Sequence, residues 1–183
     1  LMDKFNLNAN DGIQSVQQTV VERNIERLTC VDADYLLDKI GDNDAYLYPN
    51  IVDNSIVEMY FCFDDTVIVM PCETPEYKYF VRNFFENEKC KKYTYNSKYL
   101  HRLAAQLGIE CKNVCGDLML SAYLLKPSDN NYSVEHLCLD YGVAMTDYKN
   151  SLGISDEKVN YAAVLKPLFD KTNALLEEAN QIH

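Results

Sequence analysis

The chain reads as an α/β protein, a mixed β-sheet flanked by α-helices. Three observations predict this. Strand-like runs rich in β-branched and aromatic residues crowd into residues 45–70. Segments with apolar residues three and four apart fill most of the rest, interleaved with two more short strand-like runs. Finally, 48% hydrophobic residues in 183 can enclose one core, and a 25% charged fraction argues against wholesale disorder.

Residues 1–18 are polar and aperiodic and read as a linker; residues 19–183 read as a single domain. Thr19-Val20-Val21 is β-prone. Asp32 is placed to cap a helix through Ile40, with Tyr35, Leu36 and Ile40 on one face and Gly41 as its stop. Strands are expected over 45–48, 56–63 and 66–70, the last two joined by a hairpin turn at Asp64-Asp65. Thr74-Pro75 offers an N-cap followed by a first-turn proline, opening a helix that carries Tyr77, Phe80, Val81, Phe84 and Phe85.

A strand over 92–95 leads into a helix with Leu100, Leu103, Ala104 and Leu107 on one face, ended by Gly108. Residues 112–115 suggest another short strand. Asp117 caps a helix over 118–125 that is apolar nearly all round and is therefore expected to be buried. Ser133 opens a helix through Tyr141, stopped by Gly142. The closing segment, about 156–182, has a stripe of Leu165, Leu168, Phe169, Leu175, Leu176 and Ala179, with a kink expected at Pro167.

Composition narrows the function. Seventeen Lys and Arg against 28 Asp and Glu leave a net charge of −11, a field that repels a phosphate backbone and disfavours an independent nucleic-acid binder. The three lysines in Glu88-Lys89-Cys90-Lys91-Lys92 read as a solvated turn. Seven cysteines, an odd number without C-x-x-C spacing, fit reduced thiols of a cytoplasmic protein. Cys111, Cys115, His101 and His136 match no standard zinc spacing. There is no 18-residue apolar run for a membrane span, no secretory leader and no phosphate-cradling glycine loop. His101 and His136 have no nucleophile beside them in a recognisable motif.

Two stretches carry a family resemblance. Tyr95-Asn96-Ser97-Lys98-Tyr99-Leu100 is similar to the second exonuclease motif of bacterial DNA polymerase I, in which a strand runs into Asn-x-Lys-Tyr-Asp. Gly116-Asp117-Leu118-Met119-Leu120-Ser121-Ala122-Tyr123-Leu124-Leu125-Lys126-Pro127 resembles the Phe-Asp-x-x-Leu-x-x-Tyr-Leu-Leu-x-Pro segment of that family. Tyr132–Leu137 and Tyr141-Gly142 resemble the short loop and Leu-rich helix that come next in the family, and residues 56–70 resemble the hairpin after the first motif. The first five residues, which do not start with Met, resemble the tail of a 5′-nuclease domain in a longer chain. The closing helix resembles the one that leads to the polymerase domain.

The resemblance implies a ribonuclease H-like fold of the 3′–5′ exonuclease type, with two divalent metals held by four carboxylates. Carried over position by position, Tyr48 and Asn50 stand where the first motif has Asp and Glu. Asn96 is retained, but Leu100 replaces the second-motif Asp. Tyr161 is retained, but Leu165 replaces the Asp of Tyr-x-x-x-Asp. Leucine binds no cation, so the Mg²⁺ or Mn²⁺ site is expected to be lost and its cleft filled in. The expected role is a non-catalytic scaffold, a monomeric piece that meets the polymerase domain in cis and DNA only through the full enzyme. An active exonuclease with relocated ligands, perhaps Asp64, Asp117 and Asp156, and a protein-interaction module are the competing readings. For Asp117 the helix cap is the simpler role, and for Asp64 the hairpin turn.

Overall fold

The computed structural model describes residues 19–21 and 23–181; the linker assigned to residues 1–18 lies outside them. A six-stranded sheet forms the centre, built from β2 (Glu26–Thr29), β3 (Ala45–Val52), β4 (Ser55–Phe63), β5 (Thr66–Pro71), β6 (Lys92–Thr94) and β7 (Val114–Asp117). Their order is β2-β5-β4-β3-β6-β7. The β3–β4–β5 meander is antiparallel, and β2, β6 and β7 add in parallel at its sides. A second, two-stranded sheet pairs β1 (Val20–Val21) with β8 (Met145–Thr146).

Six helices cover this sheet: α1 (Ala33–Ile40), α2 (Tyr77–Glu86), α3 (Ser97–Leu107), α4 (Leu118–Leu125), α5 (Val134–Tyr141) and α6 (Glu157–Gln181). Strand alternation divides the core. Ala45, Leu47, Met59, Phe61, Ile68 and Met70 point to one face, where they pack with buried residues of α1, α2 and α3. Tyr60, Val67 and Val69 point to the other face, with Val159, Ala162 and Ala163 of α6. A third cluster joins α4, α5 and α6 through Leu118, Leu137 and Leu165.

The helix starts expected at Asp32, Asp117 and Ser133 hold, and Asn96 adds a cap that the sequence reading did not name. Asp32, Asn96, Asp117 and Ser133 each accept a backbone N–H of the helix they precede, and Gly41, Gly108 and Gly142 end α1, α3 and α5 with positive φ. The Asp64-Asp65 hairpin is present. A second hairpin between β3 and β4 turns on Asp53 and Asn54, both with positive φ, and carries β3 four residues beyond the strand expected.

Several expectations need correction. α2 begins at Tyr77 rather than at Thr74, because the Thr74 hydroxyl donates back to the Pro71 carbonyl at 3.0 Å instead of capping. Tyr35 is half exposed; Ala33 takes the inner face of α1 with Leu36 and Ile40. Lys92 is no solvated residue. It is fully buried, its three ammonium protons directed to the carbonyls of Asn87, Cys90 and Lys112 at 2.8, 3.1 and 2.8 Å, which satisfies the cation without a carboxylate. Beyond Thr172 the α6 stripe leaves the core, and Leu175 and Ala179 are exposed. In α4, only Leu118 and Ala122 are buried.

Candidate functional site

β3 brings the first-motif positions to the face that α6 covers. Tyr46, Tyr48 and Asn50 alternate with inward Ala45, Leu47 and Pro49. Because β6 lies parallel to β3, its residues stack beside them. Tyr46 and Tyr93 rings are stacked with centroids 4.8 Å apart, and Tyr48 lies 5.6 Å from Tyr95. Tyr161 of α6 closes over Tyr48 at 5.2 Å, and Phe169 meets Tyr93 edge-on at 5.3 Å. Tyr161 and Tyr48, two of the positions singled out in the sequence, are thus packing partners.

Gly116 explains how the row fits. A Cβ there would lie 2.5 Å from Tyr93 and 2.7 Å from Phe169, so the two rings occupy the room of the side chain that the family motif carries before its Asp.

The polar groups are committed to neighbours. Tyr161 donates its hydroxyl to Glu135 Oε1, and Tyr95 donates to the Tyr132 carbonyl at 2.8 Å. Asn50 Nδ2 donates to Glu58 Oε2 at 2.8 Å, and the Tyr60 hydroxyl donates to the same oxygen at 2.8 Å. Asn96 Oδ1 caps α3, accepting the Lys98 N–H at 3.2 Å. Burial, with Tyr95, Glu135 and Glu157 nearby, pushes the Tyr48 phenol up to about 12. Burial also pushes Tyr95 up to about 12, with Glu135 and Asp117 adding to it. Tyr161 is raised as well, first by burial and then by its bond to Glu135.

Leu100 and Leu165 are both 0% exposed but do not meet. Leu100 belongs to the α1–α3 core and Leu165 to the α4–α6 core, on opposite faces of the sheet. Leu165 shares its cluster with Tyr48, Tyr95 and Tyr161, and neither leucine lines the neighbouring hollow. A cleft of about 500 Å³ stays open, with Tyr48, Asn50, Tyr95, Asn96, Tyr99 and Lys158 in its wall. Phenols, amides and an ammonium group are a poor fit for a pair of divalent cations, which require hard anionic oxygens to offset their repulsion.

Among the described residues, the three carboxylates considered as replacements form no common metal-ligand group, and those of Asp117 and Asp156 are held by other partners. Asp64 is in the β4–β5 turn, where its carbonyl accepts from Arg23 at 2.8 Å. Asp117 caps α4 through one oxygen, while the other binds Ser97 N–H and Oγ, both at 2.7 Å. Asp156 caps α6 and pairs with Arg27 at 3.3 Å. Among the described residues, one group of three potential metal ligands converges within 4.8 Å: Asp129, His136 and Asp140. It lies outside the cleft, and the Lys126 ammonium already sits 2.8 Å from Asp140. His101, Cys111 and Cys115 border one hollow with Asp117 without forming such a group. All seven cysteines are free thiols.

Sequence reading missed Glu58, Glu135 and Lys158. Glu58 had a signal, as a charged residue in an apolar strand in register with Asn50. Lys158 had none, since only the docking of the α6 first turn brings it to the cleft.

A family model described as DNA polymerase I, ribonuclease H-like domain, matches residues 43–152. No curated protein matches the sequence. Among solved structures, Pol1 from M. smegmatis, in complex with DNA primer-template and dNTP, is similar at TM-score 0.64 and 15% identity over 84% of this chain. This chain spans only 28% of that polymerase. NrnC from Brucella melitensis is similar at TM-score 0.57 and 14% identity, over 88% of this chain and 84% of its own. The catalytic core of RRP6 from Trypanosoma brucei is similar at TM-score 0.64 and 13% identity, over 90% of this chain and 51% of its own. These likenesses establish the ribonuclease H-like fold. Among the described residues, no helix is long and apolar enough to cross a membrane.

Proposed function

The chain belongs to the family of DNA polymerase I ribonuclease H-like domains, and from that premise we propose that it is a non-catalytic, vestigial 3′–5′ exonuclease domain. It serves as a structural scaffold within a cytoplasmic DNA polymerase that acts in replication and repair. Its own chemistry is absent, and the polymerase domain of the same chain supplies both the enzyme activity and the hold on DNA.

One observation carries this reading. By the motif resemblance, Tyr48, Asn50, Leu100 and Leu165 fall where the family has its four carboxylates; none of the four is anionic, and both leucines are buried. Two-metal hydrolysis stabilises the attacking and leaving oxygens through a shared pair of ions, and no set of anionic side chains at these positions could hold that pair. The net charge of −11 supports a domain that does not grip DNA by itself.

The test is a 3′–5′ degradation assay on end-labelled single-stranded DNA, with Mg²⁺ and then Mn²⁺ at millimolar levels, on protein shown by circular dichroism to be folded. No shortening is expected with either metal. Shortening that a chelator abolishes would overturn the proposal and turn attention to Glu58 and Glu135, the carboxylates bonded to Asn50 and Tyr161.

A further inference from the structure

α4 is apolar all round, a pattern that belongs to helices covered on every side. Here it is covered on one side only. Leu118 and Ala122 are buried, whereas Leu120, Tyr123 and Leu124 are 55%, 50% and 58% exposed. Their spacing of three and four places them together on the outer face. No charged residue interrupts Leu118–Leu125. The helix is also firmly seated: Asp117 caps it, and the ring of Tyr132, whose hydroxyl donates to the Lys126 carbonyl at 2.8 Å, packs edge-on against Tyr123.

The size of this face indicates what covers it. Eight residues of helix span about 12 Å, far too little for the roughly 800 Å² per partner that a stable free complex buries. A second copy of the chain would gain no more from this face alone. Yet each Å² of apolar surface removed from water here would stabilise a complex by about 25 cal/mol. A tethered neighbour resolves both conditions, because linkage in one chain supplies an effective concentration of about millimolar without extra area. Nucleic acid does not suit a face without a cation on a chain of net charge −11.

We propose that the outer face of α4 is the surface on which the polymerase domain of the same chain docks. This rests on the scaffold reading of the domain. Uncharged side chains are buried there without desolvating an ion, as in permanent interfaces.

Amide hydrogen exchange, compared between the 183-residue domain and the full-length polymerase chain that carries it, tests the assignment. Exchange across Leu118–Leu125 is expected to slow at least tenfold in the full-length chain. The double substitution Leu120→Ser, Leu124→Ser, made on exposed positions, is expected to return it to the rate of the isolated domain. If α4 exchanges equally in both while another surface slows, this assignment fails and the scaffold reading stands. If no surface slows, both fail. If α4 of the isolated domain slows with rising concentration and the domain sediments as a dimer, the occupant is a second copy and the assignment is overturned.

Discussion

The two faces of the central sheet are packed on different principles. Under α1, α2 and α3 the core is aliphatic and phenylalanine-rich, with Phe61 edge-on to Phe80 and Phe84 at 5.6 and 5.3 Å. Most of these side chains carry no polar atom, so close packing alone completes the face. On the α6 side, Tyr46, Tyr48, Tyr93, Tyr95 and Tyr161 do much of the filling, and each brings a hydroxyl that seeks a partner. Glu135 and the Tyr132 carbonyl provide two. At the margin of the tyrosine face lies the cleft, walled by Tyr48, Asn50, Tyr95, Asn96 and Lys158. Leu100 and Leu165 lie in the cores, and neither lines the cleft beside Tyr48 and Tyr95.

The largest expected effect tests the sealed leucines. Leu100→Asp and Leu165→Asp each place an unpaired carboxylate in a site with no exposure, and each should destabilise the protein by about 4 kcal/mol or more in urea denaturation. Wild-type stability for Leu165→Asp would mean that this position faces the cleft, and the distinction between sealed core and open margin would collapse.

A smaller effect probes the tyrosine face. Gly116→Ala should cost about 1–3 kcal/mol, since the Tyr93 and Phe169 rings must move to admit a Cβ. The matching change on the opposite face, Ala104→Gly in α3, should cost only about 1 kcal/mol. Equal losses would remove the claim that the rings occupy this space.

The smallest effect is a dependence on pH. Tyr48 and Tyr95 are held near 12 in the fold against about 10 in an unfolded chain. Their neutral forms are favoured in the native state, so this stability is complete below about pH 10 and is lost as pH rises toward about 12. Tyr48→Phe should flatten the decline in melting temperature over that window. An unchanged slope would show that Tyr48 ionises as freely folded as unfolded.

Local signals were legible wherever one residue acts on its own neighbourhood. Asp32, Asp117 and Ser133 announce helix starts because a short polar side chain reaches an N–H three residues on. The Asp64-Asp65 turn signal between two β-prone runs placed the β4–β5 hairpin. β2 and β8 were illegible, since Glu26–Thr29 and Met145–Thr146 become strands only when β5 and β1 offer an edge. Lys92 read as a surface residue because its partners are three carbonyls, two of them close in sequence and the third twenty residues away.

Residue type and short-range spacing were enough for the sheet-and-helix fold, and the motif resemblance at residues 95–100 and 116–127 pointed to the family that the matching model bears out. Three features came into view only with the folded chain: Leu100 and Leu165 face opposite cores, the cleft stays open beside Lys158, and α4 shows an apolar face. Each of those depends on which surfaces meet, and the free energy of burial is set by neighbours far apart in the chain.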